Sequence, residues 1–288
     1  MIGGIAAIVL TANAGFLHAP PQGSLVIDCP LGPPEPGQGG TIVQIAFDAD
    51  FEFFQLHGGD VDATLEAVLA VVNQVDGIFK AGPGVLFDVT AVVIRDNAAD
   101  PYTGSDPGTL LGQIKSEWLN NQPNVEWDTV QLLTGRNLNG AILGMSGQSS
   151  ICTDDALSLI AASGLTLNHQ IHLSAHELGH VFGAMHCDGP DCGVMCPFLQ
   201  GCEGDPLEFG QEAIDAILAL IDTQGDCLEG AGGCTADCND DGQLNVLDFV
   251  CFQSLFVDAD PGADCNADGQ LNVLDFVCFQ GVFNQGCD

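Results

Sequence analysis

The sequence predicts an α/β sandwich built on a mixed sheet, followed by a small all-α module, and three observations lead there. Over residues 41–145, stretches rich in β-branched residues alternate with helically periodic ones in the order β, α, β, α, β, β. Residues 176–186 read HELGHVFGAMH, which sets two histidines one helical turn apart. Residues 235–257 and 262–284 align with a shift of 27 and are identical at 18 of 23 positions, so the C-terminal fifth is a separate tandem unit.

In chain order, residues 1–14 carry an apolar stretch from Ile5 to Leu10 and small residues at Ala12 and Ala14, the pattern of a signal peptide cleaved after Ala14. The basic start of such a peptide is missing, which puts the expected initiation site upstream of Met1; a short buried apolar segment is the plainer alternative. Residues 15–40 hold Pro20, Pro21, Pro30, Pro33, Pro34 and Pro36, a composition for a linker or leader that cannot form a helix. A first, larger domain is expected over 41–228. TIVQIAF at 41–47 reads as a strand, and 60–79 as a helix through Val61, Leu65, Val68, Leu69, Val72 and Val75. A strand at 85–94, a helix at 110–119 and strands at 129–134 and 141–145 follow. The Gly-rich 229–233 is the expected hinge, and 234–288 the repeat module.

Thirty-nine acids against four bases give a formal net charge of -35. With only Lys80, Arg95, Lys115 and Arg136 to displace counterions, nucleic acid and anionic membrane surfaces are expected to be poor partners. Charged residues make up 15% and apolar ones 46%, which excludes a disordered acidic chain. The longest apolar run near the start is far short of the ~20 residues that span a bilayer, so no membrane span is expected. Thirteen cysteines point to an oxidising compartment or to metal, hence to a secreted or cell-surface protein.

Each position of HELGHVFGAMH has a chemical job. His176 and His180 share one helix face, so both imidazoles can converge on one Zn²⁺. Glu177, beside the first ligand, can take a proton from activated water and pass it to the leaving amine. Gly183 would end the helix in the left-handed conformation and turn the chain so that His186 supplies a third ligand. Three neutral ligands leave a fourth position open, as in catalytic zinc sites. The stripe Ile171, Ala175, Leu178 and Phe182 on the opposite side should anchor the helix to the sheet. His172 lies on the ligand stripe, but no acid stands between it and His176 to serve as a base. His172 and His169 are therefore read as neighbours of the site or solvated residues, His57 as a loop residue, and His18 as part of the leader.

A bare H-E-x-x-H can arise by accident; the extended HExxHxxGxxH is the metzincin signature. Over about residues 41–225 the chain resembles a metzincin of the adamalysin (reprolysin) type. IVQIAFDADFEFFQL and DVDATLEAVLAVVNQVDGIF are similar to the first strand and helix of bacterial reprolysin-like proteases. LLTGRNLNGAILGMSGQSSIC is similar to the segment before their active-site helix, edge strand included. The resemblance implies a zinc endopeptidase whose peptide substrate lies antiparallel to that edge strand. It also implies that Met195, in CGVMCP, packs in a tight turn beneath the metal without ligating it; ordinary core packing is the alternative. Adamalysins usually carry Asp after the third His, where this chain has Cys187. HC followed by four residues and then Cys192 resembles the archaemetzincins, but the C-x-x-C pair that completes their structural zinc site is missing after Met195. Cys187, Cys192, Cys196 and Cys202 are thus expected to form disulfides, with their pairing open and a second zinc as the alternative. No long prodomain is expected between the leader and the first strand. A thiolate cap on the zinc from Cys29 ranks below a plain disulfide.

Each repeat contains a twelve-residue loop with oxygen donors at the spacing that selects Ca²⁺. The first copy places Asp237, Asn239, Asp241, Gln243, Asn245 and Asp248; the second places Asp264, Asn266, Asp268, Gln270, Asn272 and Asp275. Gly242 and Gly269 stand at the sharp turn. Asp at position 12, and one helix after each loop, resemble the dockerin module, which implies a cohesin-like protein partner. Cys251 and Cys278 are placed to pair with Cys238 and Cys265, and Cys234 with Cys287, in a module too small to rely on its core.

Two functions compete. One is a secreted zinc endopeptidase tethered through a calcium-binding module. The other is a catalytically silent, calcium-dependent adhesion or scaffold protein, which the intact zinc motif disfavours. One Zn²⁺ and two Ca²⁺ offset only a small part of the negative charge, so an acidic surface suited to saline surroundings is a further expectation.

Overall fold

The computed structural model describes residues 24–27, 40–199, 201–202, 207–230, 238, 245–257, 260, 263, 265 and 270–285. The expected signal peptide, His18, Cys29, Cys234, Cys287 and the loop positions Asp237, Asn239, Asp241, Gln243, Asp264, Asn266 and Asp268 lie outside these residues.

Among the described residues, seven strands form one mixed sheet: β1 (Ser24–Ile27), β2 (Thr41–Ala49), β3 (Val85–Arg95), β4 (Thr129–Thr134), β5 (Gly144–Ser146), β6 (Leu157–Ala161) and β7 (Glu229–Gly230). The order is β1-β3-β2-β4-β6-β5, with β7 paired to the start of β2. β3, β2, β4 and β6 run parallel, whereas β1, β5 and β7 are antiparallel to their neighbours. The sheet thus recruits a strand from within the proline-rich leader and the first two residues of the Gly-rich stretch.

The helices are α1 (Phe51–Leu56), α2 (Val61–Ala81), α3 (Pro107–Asn121), α4 (Leu167–Val181), α5 (Gln211–Gln224), α6 (Val246–Val257) and α7 (Val273–Gln285). Carboxylate caps start the early ones: Asp60 accepts from the Ala63 amide at 2.9 Å, and Asp106 from Thr109 at 2.8 Å ahead of Pro107 at the first turn.

Strand parity divides the core in two. Val43, Ile45, Phe47 and Ala49 of β2 face α2 and α4, while Ala46 and Asp48 face α3. In β3 the register shifts opposite Ile45/Ala46, so that Val85, Phe87 and Val89 share a face with Val92 and Ile94 despite the change of parity. Phe79 links α2 to Phe87, Phe182 and Phe209 in one aromatic cluster.

Two expectations need correction. The strand placed at 141–145 is only β5; before it the chain makes a 3-10 turn at Asn139–Ala141, with Gly140 at φ 78° and Ala141 at φ 57°, and left-handed residues cannot continue a ladder. LSLIA at 157–161, not anticipated as a strand, is β6. It is buried on both faces and shows no alternation to betray it.

In the C-terminal repeat, Phe252 and Phe279 stack with centroids 4.2 Å apart, and Ala263 completes a small core. The disulfides Cys238–Cys251 and Cys265–Cys278 are the pairs expected.

Candidate metal centre

α4 is positioned from both ends and from beneath. Thr166 caps its first turn, accepting from the His169 amide at 3.3 Å. Ile171, Ala175, Leu178 and Phe182 are all buried against the sheet side. Deeper still, Gln131 of β4 bonds Ser158 of β6 at 3.0 Å and the Ser174 carbonyl at 3.2 Å, pinning the helix two residues before His176. At the far end, Gly183 takes φ 93°, and its missing Cβ leaves room for Leu220 of α5. The loop after β5 closes that end: the amides of Ser149, Ser150 and Ile151 donate to the carbonyls of His180 and Val181 at 2.8–3.2 Å. The Cys152–Cys227 disulfide ties this loop to the segment after α5.

The turn brings His186 back to His176 and His180. Their Nε2 atoms form a triangle with sides of 3.0, 3.0 and 3.2 Å. Tetrahedral ligands at the usual Zn–N length stand about 3.3 Å apart, so the triangle has the dimensions of one face of a zinc coordination shell. Tautomers agree with that use. His176 Nδ1 donates to the Val194 carbonyl at 2.6 Å and His180 Nδ1 to the Ala184 carbonyl at 2.7 Å, leaving the Nε2 lone pairs directed at a common point. Burial drives the His176 ring down to about 3 and lowers His180 too, so both are neutral at physiological pH. With two of the three imidazoles held in the tautomer that presents Nε2 and the third ring nitrogen 3.0 Å from both, the donor set fits a borderline-soft divalent metal.

Glu177 lies beside this triangle, buried apart from 5% of its surface. Burial lifts its carboxyl to about 7, against a lowering contribution from the Ser146 hydroxyl, which donates to Oε2 at 2.8 Å.

Met195 is fully buried under the helix, where a Cβ on Gly179 would strike its sulfur. The turn carrying it bends at Gly193, φ 58°, and presents the Val194 carbonyl to His176. Cys187–Cys192 and Cys196–Cys202 flank it as disulfides, which answers the open pairing. His172 is buried and stacks near His176 with centroids 6.4 Å apart, outside the triangle; His169 is half-buried, and His57 ends α1, bonding the Phe53 carbonyl at 2.9 Å. Sequence reasoning missed Gly144, Ser146 and Gln148, whose amide reaches the same Ala184 carbonyl as His180, at 3.2 Å. Nothing local distinguishes them, because their partners lie more than thirty residues away.

Of the positions expected to bind calcium, Asn245, Asp248, Gln270, Asn272 and Asp275 are among the described residues. In both copies the Asn amide donates to the Asp carboxylate at 2.7 Å, and both Asp are fully buried.

Residues 40–212 match Metallo-peptidase family M12, reprolysin type. Disintegrin and metalloproteinase domain-containing protein 19 of Mus musculus is 24% identical over 166 residues, 56% of this chain and 17% of that protein. Disintegrin and metalloproteinase domain-containing protein 15 of Homo sapiens is 31% identical over 122 residues, covering 37% and 14%. A disintegrin and metalloproteinase with thrombospondin motifs 15 of Homo sapiens is 30% identical over 153 residues, covering 48% and 15%. The matched region thus makes up about a sixth of each of these relatives. Its three converging imidazoles and a match extending over more than half its length make this chain a member of the reprolysin-type metallopeptidase family M12.

Proposed function

We propose that the chain is a secreted zinc endopeptidase in which His176, His180 and His186 hold the metal and Glu177 is the general base. The observation that carries this reading is the triangle of three Nε2 atoms beside a buried carboxylate. Bound there, Zn²⁺ would supply Lewis acidity to water and to the scissile carbonyl. Glu177 takes the proton from water on the oxygen that Ser146 does not hold, then returns it to the departing amine nitrogen. β5, the last strand of the sheet, offers its outer backbone groups to an extended peptide. Met195 supports the site by packing alone.

The test is incubation of purified, oxidised protein with casein. Cleavage should stop with a zinc chelator, and Glu177→Gln should keep stoichiometric zinc while losing cleavage. A Gln variant as fast as the parent would sink the assignment.

The repeat module is proposed to bind two Ca²⁺ and to tether the enzyme through a cohesin-like protein. Supporting the calcium reading, Asp275 Oδ1 is buried with no hydrogen-bond partner among the described residues, as a carboxylate reserved for a hard cation would be. Calorimetry should count two calcium ions per chain.

A further inference from the structure

Glu177 meets the edge strand at two points. Ser146 Oγ donates to its Oε2 at 2.8 Å, and a Cβ built on Gly144 would fall on its Oε1, Cδ and Cγ. Residues 144 and 146 share one face of β5, the face toward α4, while Met145 packs on the opposite core layer. Gly144 has no left-handed φ, so its glycine is required for space and not for backbone conformation. The carboxylate therefore lies across the strand, resting where one side chain is absent and tied where the next begins.

We propose that Ser146 is a positioning residue that fixes the orientation of the Glu177 carboxylate from the edge strand. The inference rests on the reading of Glu177 as the base. The Ser146 hydroxyl donates to Oε2, which accepts equally as a carboxylate oxygen or as the carbonyl oxygen of an acid, so the tie needs no rearrangement. It keeps the side chain in place whether or not the other oxygen carries a proton. The strand that would set the register of a bound peptide also sets the direction of the group that acts on it. Orientation to this accuracy matters because a 1 Å misplacement costs about 100-fold in rate.

The experiment is kinetics on the zinc-loaded full chain together with crystal structures of the zinc-loaded parent and Ser146→Ala. Ser146→Ala should lower kcat roughly tenfold, with KM for a fluorogenic peptide and zinc content unchanged. Ser146→Thr, which keeps the hydroxyl, should recover most of the loss. In the Ala crystal Glu177 should leave the position it holds in the parent. An unchanged kcat, a loss confined to KM, or a Glu177 conformer identical in the two crystals would overturn the proposal. Failure of the parent to cleave would instead strike the peptidase reading, and the two crystals would still decide the role of Ser146.

Discussion

Two buried carboxylates, one on each face of the same sheet, are treated in opposite ways. Asp48 points toward α3 and accepts from Arg95 Nε at 2.9 Å and Nη2 at 2.5 Å, from the Tyr102 hydroxyl at 2.6 Å and from Trp118 Nε1 at 3.1 Å. Arg95 in turn reaches Glu117 at 3.0 Å. Glu177, on the α4 side, is held through a single oxygen by Ser146. The difference separates structure from chemistry. Donors from three side chains fix Asp48 in place, whereas Glu177, with one tie among the described residues and desolvated by burial, has its carboxyl raised and keeps Oε1 available for chemistry.

Substitutions on either face should separate the two roles. The largest effect is expected in turnover, where Glu177→Gln should lose about 10²–10⁴-fold, measured as initial rates of peptide cleavage at equal zinc content. On the opposite face, Asp48→Ala leaves Arg95 desolvated beside Glu117 alone and should cost about 3–5 kcal/mol in urea unfolding; a loss near zero would show that water or Glu117 compensates. Replacing both Cys152 and Cys227 by Ser should cost about 2–4 kcal/mol, since their bond closes a loop between residues 75 apart. Limited proteolysis should then find the segment after β5 first.

The pH response sharpens the contrast further. In metal-free protein burial lifts Glu177 from 4.5 to about 7. The folded state then keeps a proton that the unfolded state has released, so stability falls as pH rises through that window. Glu177→Gln should flatten this fall between pH 5 and 7, and equal slopes in parent and variant would refute it. The smallest effect belongs to the surface: Lys115→Ala breaks the 2.7 Å pair with the exposed Asp155 and should cost under about 1 kcal/mol, vanishing at high salt.

Much of the site was legible because its information is local. The spacing of His176, Glu177, His180 and Gly183 is a property of one helix and its cap, and His186 follows within a turn. The α2 and α3 helices were readable for the same reason, their apolar periods being uninterrupted. β6 was not, since a strand buried on both faces looks like any apolar run. β5 was anticipated but placed three residues too early, because its short pairing begins after two left-handed residues that no composition rule flags.

Residue order alone, then, carried the metal-ligand pattern, the helical periods and the tandem repeat, all of which act over a few residues and obey fixed geometric periods. Tertiary structure alone chose the partners that lie far apart in the chain: Cys152 with Cys227, Asp48 with Arg95 and Trp118, and the Ser146 hydroxyl with Glu177. These pairings are decided by which strands become neighbours and in which register. That choice belongs to the packing of the whole sheet, and no short stretch of residues contains it.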